Sequence, residues 1–406
     1  MTSVTNGPTD RLHGLDALRG GALLLGVVLH ASMAYIPAPI WIATDAQTSQ
    51  GASLIFFAIH LFRMTTFFLI AGLFGEMMLG RMGWLRFAKD RLNRIGGGLF
   101  GLWWLVFPAI IAVLLWKVAI DNGGTLPTDG PPPPPLTLET FPLTHLWFLW
   151  VLLIFYVVRL ALHALTAADP SGHLGRFADR IAGLLIGPWS PAVLAAPVAL
   201  AFWARPDWIV FFGVPTPDTG LVPNAVAVTA FGLAFATGAL LNRRRDLLSR
   251  IVSAWPVFAV VALATGAAAL YLAGGPGPRL TAVSDPEMKL TSAWTYAIAM
   301  WSATFAVIGL ALRFASGHSA VRRYLADASY WVYIVHLPLV MAAQVLLLAQ
   351  PWPWFAKLAA VLVGVMAVSL LSYELLVRHT YIGSWLNGRR VPWRKARPST
   401  APIAAE

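Results

Sequence analysis

Ionisable side chains inside apolar segments are the first candidates for chemistry, because they are costly in a bilayer and by default mark functional sites. The first apolar segment, "LDALRGGALLLGVVLHASMAY", begins with Asp16 and Arg19 near its start and contains His30. Ten residues separate Arg19 from His30, so the two lie about 20° apart around an α-helix and about 16 Å apart along it. They therefore share one helix face. With Arg19 at the inner interface, His30 lies near the middle of a bilayer, where a histidine considered alone is most simply interpreted as a structural residue hydrogen-bonded to a neighbouring helix.

Other apolar segments carry similar side chains at a similar depth. "FFAIHLFRMTTFFLIAGLF" places His60 and Arg63 at neighbouring positions of one helix face, and "SYWVYIVHLPLV" places His336 about 15 Å deep by helical rise. His145, in "THLWFLW", is expected at the outer interface. The shared depth favours a single polar cavity. The alternatives are separate histidines that pack between helices and, for His145, a position in an interfacial aromatic belt.

Charged residues near the opposite ends of the segments suggest a second kind of site. Arg91 and Arg94 stand one turn apart in "DRLNRIGGG", and two guanidinium groups beside a flexible backbone make a phosphate grip. Taken alone, the ordinary positive charge of cytoplasmic loops explains them more simply. Glu374 and Arg378, also one turn apart, are interpreted as a structural pair. Glu76 has no evident partner, and no role is predicted for it.

Composition indicates which elements must position these side chains. Of the 406 residues, 58% are hydrophobic and 12% are charged, whereas about a quarter of residues are charged in soluble domains. The chain is therefore predicted to be an all-α, polytopic membrane protein.

The net charge of the chain is +11. It is interpreted as the positive charge of cytoplasmic loops, so no nucleic acid partner is expected. Without Cys, disulfides, zinc–thiolate sites and thiol nucleophiles are excluded, and no metal site is predicted.

Ten segments reach the length of about 20 mostly apolar residues that a membrane span needs. They lie at 17–37, 53–80, 96–118, 144–165, 181–203, 221–241, 255–273, 292–313, 327–349 and 355–378. Basic residues follow the second, fourth, sixth, eighth and tenth spans. The positive-inside rule makes these loops cytoplasmic, together with both termini. The predicted domains are a cytoplasmic segment 1–16, a transmembrane domain 17–379 and a cytoplasmic tail 380–406.

Several stretches together resemble the membrane-bound acyltransferase-3 family. They are, in order, "LDALRGGALLLGVVLHASMAY", "HLFRMTTFFLIAGLF", "DRLNRIG", "HLWFLW", "SYWVYIVHLPLV" and "SYELLVR". Arginine followed after ten residues by histidine is the family's signature. The second and fourth stretches point to the branch associated with succinylation of osmoregulated periplasmic glucans. One departure is the "GGG" after Arg-x-x-Arg, where relatives often have proline.

The resemblance implies roles for individual residues. His30 would be the catalytic histidine, paired with Arg19. Arg91 and Arg94 would engage the acyl donor from the cytoplasm. Further substrate-binding positions would be His60, Arg63, His145 and His336. Supporting positions would be Asp16, Glu374 and Arg378.

The resemblance also implies an acyltransferase of the bacterial inner membrane, expected to be an O-succinyltransferase. The donor would be acyl-CoA, expected to be succinyl-CoA, the acceptor a periplasmic glucan, and the surroundings membrane lipids, with no tightly bound cofactor. His30 would act as general base or form an acyl-histidine, with Arg63 or His336 stabilising the oxyanion. Three alternatives stay open. They are acetyl or other acyl transfer to another envelope polysaccharide or small molecule, a proton-coupled transporter or flippase, and a non-catalytic scaffold.

Overall fold

The computed structural model describes residues 13–127, 135–315, 317 and 319–388. Much of both predicted cytoplasmic segments, 1–12 and 389–406, lies outside the described residues. The α-helices are α1 His13–Ser32, α2 Gln50–Met82, α3 Trp84–Arg91, α4 Gly97–Asp121, α5 Trp147–Ala167, α6 His173–Leu185, α7 Ser190–Ala204, α8 Ala225–Arg243, α9 Leu248–Leu272, α10 Pro286–Phe314, α11 Ala320–Leu347, α12 Trp354–Ser372 and α13 Tyr381–Asn387. Single turns of 3₁₀-helix lie at Met33–Tyr35, Thr144–Leu146, Val210–Phe212 and Arg245–Leu247, and π-helical turns at Leu92–Gly96 and Tyr373–Arg378.

Nine helical segments in the described part of the chain are long and apolar enough to cross a membrane, which confirms the all-α, polytopic class. The predicted fifth span, 181–203, is wrong as one continuous helix, because α6 and α7 meet at 103° across a short break. The break contains Gly187 and Pro188, and proline disfavours helix both at its own position and before it. Ser190 Oγ accepts the amide hydrogen of Gly187 at 2.8 Å and so closes the turn. The count reaches ten only when this bent pair is one span.

The glycine-rich start of the third span is helical and tightly packed. α3, the π-helical turn Leu92–Gly96 and α4 follow one another without a break. A Cβ on Gly97 would lie 2.4 Å from the Trp385 ring of α13, and one on Gly98 would lie 2.3 Å from Tyr330 Oη of α11. The "GGG" departure therefore lets two aromatic side chains pack against this turn.

The site is positioned mainly by α1, α2 and α11. α2 is the most buried of the spans and packs against α8, α1 and α10. α1 lies between α2 and α11, since it packs extensively against both. α1, α2 and α11 are far apart in the sequence, and this arrangement brings their buried faces together around the site.

Two ion pairs connect charged residues of different segments inside the bundle. Arg159 of α5 donates to both carboxylate oxygens of Glu76 at 2.5 and 2.7 Å, which supplies the partner that the sequence did not reveal. Lys357 of α12 donates to both carboxylate oxygens of Asp45 at 2.9 and 2.7 Å. That pair is almost completely buried and fixes the loop between α1 and α2 against α12.

Candidate active site

A cavity of about 530 Å³ lies at the end of the bundle that carries the loops 36–49 and 205–224. This is the outer end in the predicted topology. Its size falls within the range of about 300–1,000 Å³ typical of small-ligand sites. Four of the residues predicted to bind substrate or catalyse lie in its wall: His30, His60, Arg63 and His145.

Three imidazoles from different elements form a row, of which His30 and His145 line this cavity and His336, between them, does not. The ring centroids of His30 and His336 are 5.3 Å apart, and those of His336 and His145 are 5.1 Å apart. His60 lies in the cavity wall above Arg63, with its ring stacked on Phe56 at 5.2 Å. Of the four groups predicted to share one polar cavity, His30, His60 and Arg63 line this one and His336 does not. The role of each residue remains a prediction.

Backbone carbonyl groups fix the tautomers of two of these histidines. His336 Nδ1 lies 2.6 Å from the Tyr333 carbonyl oxygen, and His145 Nε2 lies 3.1 and 3.0 Å from the carbonyl oxygens of Tyr333 and Ile334. Because a carbonyl oxygen only accepts, both nitrogens carry hydrogen. The other nitrogens, His336 Nε2 and His145 Nδ1, are buried without a hydrogen-bond partner. In the neutral rings of His336 and His145, these two nitrogens therefore carry lone pairs inside the helix bundle.

Pro338 leaves one backbone carbonyl of α11 without its usual helical hydrogen bond. In a regular helix the amide of residue 338 would donate to the carbonyl of Ile334, but proline has no amide hydrogen. The freed Ile334 oxygen accepts from His145 instead. Tyr333 strengthens the same contact, because its hydroxyl donates to the His145 carbonyl at 2.6 Å.

The turn that carries His145 has an unusual backbone. Thr144 has a φ of 53°, which is rare for a β-branched residue and costs about 1–3 kcal/mol. Its amide donates to the Asp218 carbonyl at 2.9 Å, so the 205–224 loop holds the turn in place. Asp218 also lines the outer cavity, and partial desolvation raises the pKa of its carboxyl above the usual value.

Arg63 points its guanidinium at the wall of α1 beside the histidine row. A Cβ on Gly26 would lie 2.5 Å from Arg63 Nη1 and 3.9 Å from His336 Nε2, so both groups face the same point. Arg63 Nε is buried without a hydrogen-bond partner. Among the described residues no carboxylate pairs with this cation. A guanidinium stays charged, and the site therefore favours a negative charge near His30.

A second cavity of about 220 Å³ lies toward the opposite end of the bundle and contains three arginines: Arg19, Arg91 and Arg94. Arg91 donates to Asp90 at 3.0 Å through Nε, and Arg94 Nε lies 3.0 Å from the other Asp90 oxygen. Arg19 lies 3.7 Å from Asp16. The sequence reasoning missed Asp90, which partly offsets the two arginines and holds their guanidinium groups side by side.

A narrow space of about 20 Å³ joins the two cavities, and we call it the neck. It has room for about one water molecule. Its wall shares His30, Arg63 and His145 with the outer cavity, and Leu23 and Tyr333 with the inner one. The three spaces therefore follow one another through the bundle, and the histidine row lies at the narrowest point.

The predicted supporting residues lie apart from this path. Arg378 Nη1 donates to Glu374 Oε1 at 2.8 Å and to its Oε2 at 3.0 Å, and its guanidinium lies over the Tyr324 ring. Neither residue lines the outer or the inner cavity. Asp16 lies 3.7 Å from Arg19 of the inner cavity and lines neither cavity itself.

Two polar residues beside His30 were missed from the sequence. Gln344 of α11, which is buried, accepts from Trp41 Nε1 at 2.8 Å. Its amide nitrogen donates to the carbonyls of His30 and Ala31 at 3.0 and 3.1 Å. A glutamine two turns beyond His336 in an apolar segment was the available signal, whereas nothing in the loop pattern indicated Trp41.

Comparison with known proteins gives a consistent result along the chain. The sequence profile of the acyltransferase-3 family, an acyltransferase domain, matches residues 12–374. Glucans biosynthesis protein C of Salmonella heidelberg is 27% identical over 380 residues, which cover 93% of this chain and 94% of that protein. The protein of the same name from Salmonella typhimurium is 26% identical over 399 residues, or 98% and 99% of the two chains. No solved structure matches significantly.

Proposed function

Because the chain belongs to the acyltransferase-3 family, as its motifs predicted, we propose that it transfers an acyl group from acyl-CoA in the cytoplasm to a hydroxyl of a periplasmic glucan. The group proposed is succinyl, and the location is the bacterial inner membrane. One observation carries the proposal: two cavities meet at a row of histidines. The similarity to glucans biosynthesis proteins supports a glucan as acceptor.

The inner cavity suits the donor, because its arginines match the phosphate groups of CoA. Guanidinium groups bind phosphate through two parallel charged hydrogen bonds. Arg91 and Arg94 would hold the phosphates, with Arg19 further along the wall toward the neck. The flexible arm would then extend through the inner cavity and bring the thioester to the neck, while the bulky nucleotide stays at the cytoplasmic mouth.

The neck supplies the groups that the transfer needs. His30 would take the proton of the acceptor hydroxyl as the oxygen attacks the thioester carbonyl, a contribution of about 10²–10⁴-fold. Arg63 would stabilise the negative oxygen of the tetrahedral intermediate. The carbon–sulfur bond then breaks, the ester forms, and the protonated His30 returns its proton to the leaving CoA sulfur. A two-step route through an acyl-histidine would use the same groups.

The experiment is a CoA-release assay on protein purified in detergent. Succinyl-CoA is supplied with and without periplasmic glucan, and His30→Ala is compared with wild type. We expect glucan-dependent release that falls at least 10²-fold in the variant. His163→Ala, a histidine of α5 outside both cavities, serves as control and should remain active. Wild-type transfer by a folded His30→Ala protein would refute the role of His30.

A proton-coupled transporter is the other function that buried histidines suggest. The neck is too narrow for a saccharide, since it holds about one water molecule, and this favours transfer of a small group between two bound reactants. A transport assay on protein reconstituted in vesicles, combined with the CoA-release assay, separates the functions. Uptake of labelled glucan into vesicles without CoA release would support transport and contradict the acyltransferase proposal.

A further inference from the structure

Trp41 is the aromatic residue that lies beside His30 in the outer cavity. Its indole lies 5.7 Å from the His30 ring, with the two planes inclined at 30°. The side chain is neither buried in the core nor free in solvent, and it forms part of the cavity wall. An acceptor whose hydroxyl reaches His30 therefore comes close to this indole.

Gln344 holds the Trp41 ring in a fixed orientation. Its side-chain oxygen accepts the indole hydrogen, and its amide group donates to the carbonyls of His30 and Ala31. All three contacts engage a buried side chain, so the amide has one orientation that satisfies them. A single residue thus sets the distance between the indole and the turn that carries His30. This is the rigid support that a binding surface needs.

The rest of the outer cavity has the chemistry of a carbohydrate site. The face of an aromatic ring carries negative charge density and attracts the weakly positive C–H groups of a sugar ring. Three oxygen-bearing side chains lie elsewhere in the wall and can bond sugar hydroxyls: Thr144, Thr216 and Asp218. An apolar platform with a few polar groups is typical of small-ligand sites.

We propose that Trp41 is the platform on which a sugar ring of the acceptor stacks, and that Gln344 is its positioning residue. This rests on the proposed function, because it assigns the outer cavity to the acceptor. The stacked ring presents one hydroxyl to His30, while the acyl donor approaches the neck from the inner cavity. Trp41 thereby contributes to affinity for the acceptor and not to affinity for the donor.

The test measures KM for glucan and KM for succinyl-CoA separately, again through CoA release. Trp41→Leu removes the platform and is expected to raise the glucan KM about tenfold, with the succinyl-CoA KM unchanged. Trp41→Phe keeps a ring without the indole hydrogen and should restore most of the affinity. Gln344→Met, which frees the indole and the His30 turn together, should raise the glucan KM and also lower kcat.

Trp150→Leu is the matched control. Its indole also donates to a carbonyl, that of Leu221 at 2.7 Å, but it lies outside both cavities. We expect a wild-type glucan KM for this variant. An unchanged glucan KM in Trp41→Leu, or a change confined to the succinyl-CoA KM, would overturn the proposal.

Direct binding separates this inference from the proposed function. Labelled glucan is equilibrated with purified wild type and Trp41→Leu in the absence of acyl-CoA. If wild type binds glucan about tenfold more tightly than the variant, the platform stands even where no transfer is detected. If both proteins bind equally, or neither binds, the platform is refuted whatever the transfer assay shows.

Discussion

A methyl group at Gly26 should disable the active site without unfolding the protein. A Cβ there would lie 2.5 Å from Arg63 Nη1 and 3.7 Å from Arg63 Cζ. Non-bonded heavy atoms prefer separations of about 3.5–4.0 Å, so the guanidinium must retreat by about 1 Å. The retreating atoms are the end of a flexible side chain. The helix itself gains about 0.5–1 kcal/mol from replacing glycine by alanine.

The expected loss of activity follows from the proposed role of Arg63. Misplacing a catalytic group by about 1 Å can cost about 10²-fold, and removing one oxyanion donor costs about 10²–10³ in kcat, or about 2.7–4 kcal/mol. We therefore expect Gly26→Ala to lower kcat about 10²-fold. Arg63→Gln should lower it at least as far, because the charge is then absent.

The assay is CoA release under saturating donor and acceptor, with thermal unfolding measured on the same preparations. Gly21→Ala is the control on the same helix, because a Cβ there meets nothing within 4 Å. It should keep wild-type kcat and stability. Wild-type kcat in Gly26→Ala would refute the placement of Arg63 at the reacting oxygen. A large fall in the stability of Gly26→Ala would refute the argument that the flexible Arg63 side chain moves away from the new methyl group.

Three further predictions follow from the packing and the inner cavity. Lys357→Met leaves Asp45 buried without its cation and should lower the free energy of unfolding by about 3–5 kcal/mol, measured by thermal or denaturant unfolding. Arg94→Gln removes a charged phosphate contact of about 1.5–3 kcal/mol and should raise the succinyl-CoA KM at least tenfold, with the glucan KM unchanged. Gly97→Ala places a Cβ 2.4 Å from the rigid Trp385 ring and should detach α13, which limited proteolysis would detect.

Each of these changes has a control elsewhere in the chain. Arg244→Met breaks an exposed pair with Asp246, and its effect on stability should be small beside that of Lys357→Met. Arg245→Gln removes a charge outside the cavities and should leave the succinyl-CoA KM unchanged. Gly80→Ala meets open space and should not alter proteolysis. Equal effects in any variant and its control would contradict the corresponding prediction.

The helices were predictable because a membrane span is defined by length and hydropathy, which average over many residues. The same averaging explains the error at 181–203. The average hydropathy of that stretch is that of a span, but Gly187 and Pro188 redirect the backbone within four residues. Hydropathy contains no information on such a bend. Local rules for proline and glycine do contain this information, because an adjacent glycine and proline favour a turn. The Gly187–Pro188 pair was therefore the signal from which the bend could have been predicted.

Part of the histidine row was predictable for a different reason, since helical rise converts sequence position into depth. Depth placed His30, His60 and His336 at a similar level, but it put His145, which completes the row, at the outer interface. It also could not supply the rotation of each helix about its axis. Trp41 lies in a loop, so no helical periodicity predicts the position of its side chain. Its place beside His30 follows from a hydrogen bond to Gln344, some 300 residues away in the chain, which local patterns do not encode.

The distribution of counter-ions supports the neck as the proposed reactive point. The half-buried Arg159 and the buried Lys357 each have a carboxylate of their own, and Arg91 and Arg94 share Asp90. Arg63 has no such partner among the described residues. A cation left without a carboxylate binds most strongly when negative charge develops beside it, and that occurs in the tetrahedral intermediate, not in the neutral thioester or hydroxyl. Interactions that strengthen only along the reaction raise kcat. The missing carboxylate is therefore part of the proposed mechanism, because a permanent partner for Arg63 would stabilise the resting site and cancel this advantage.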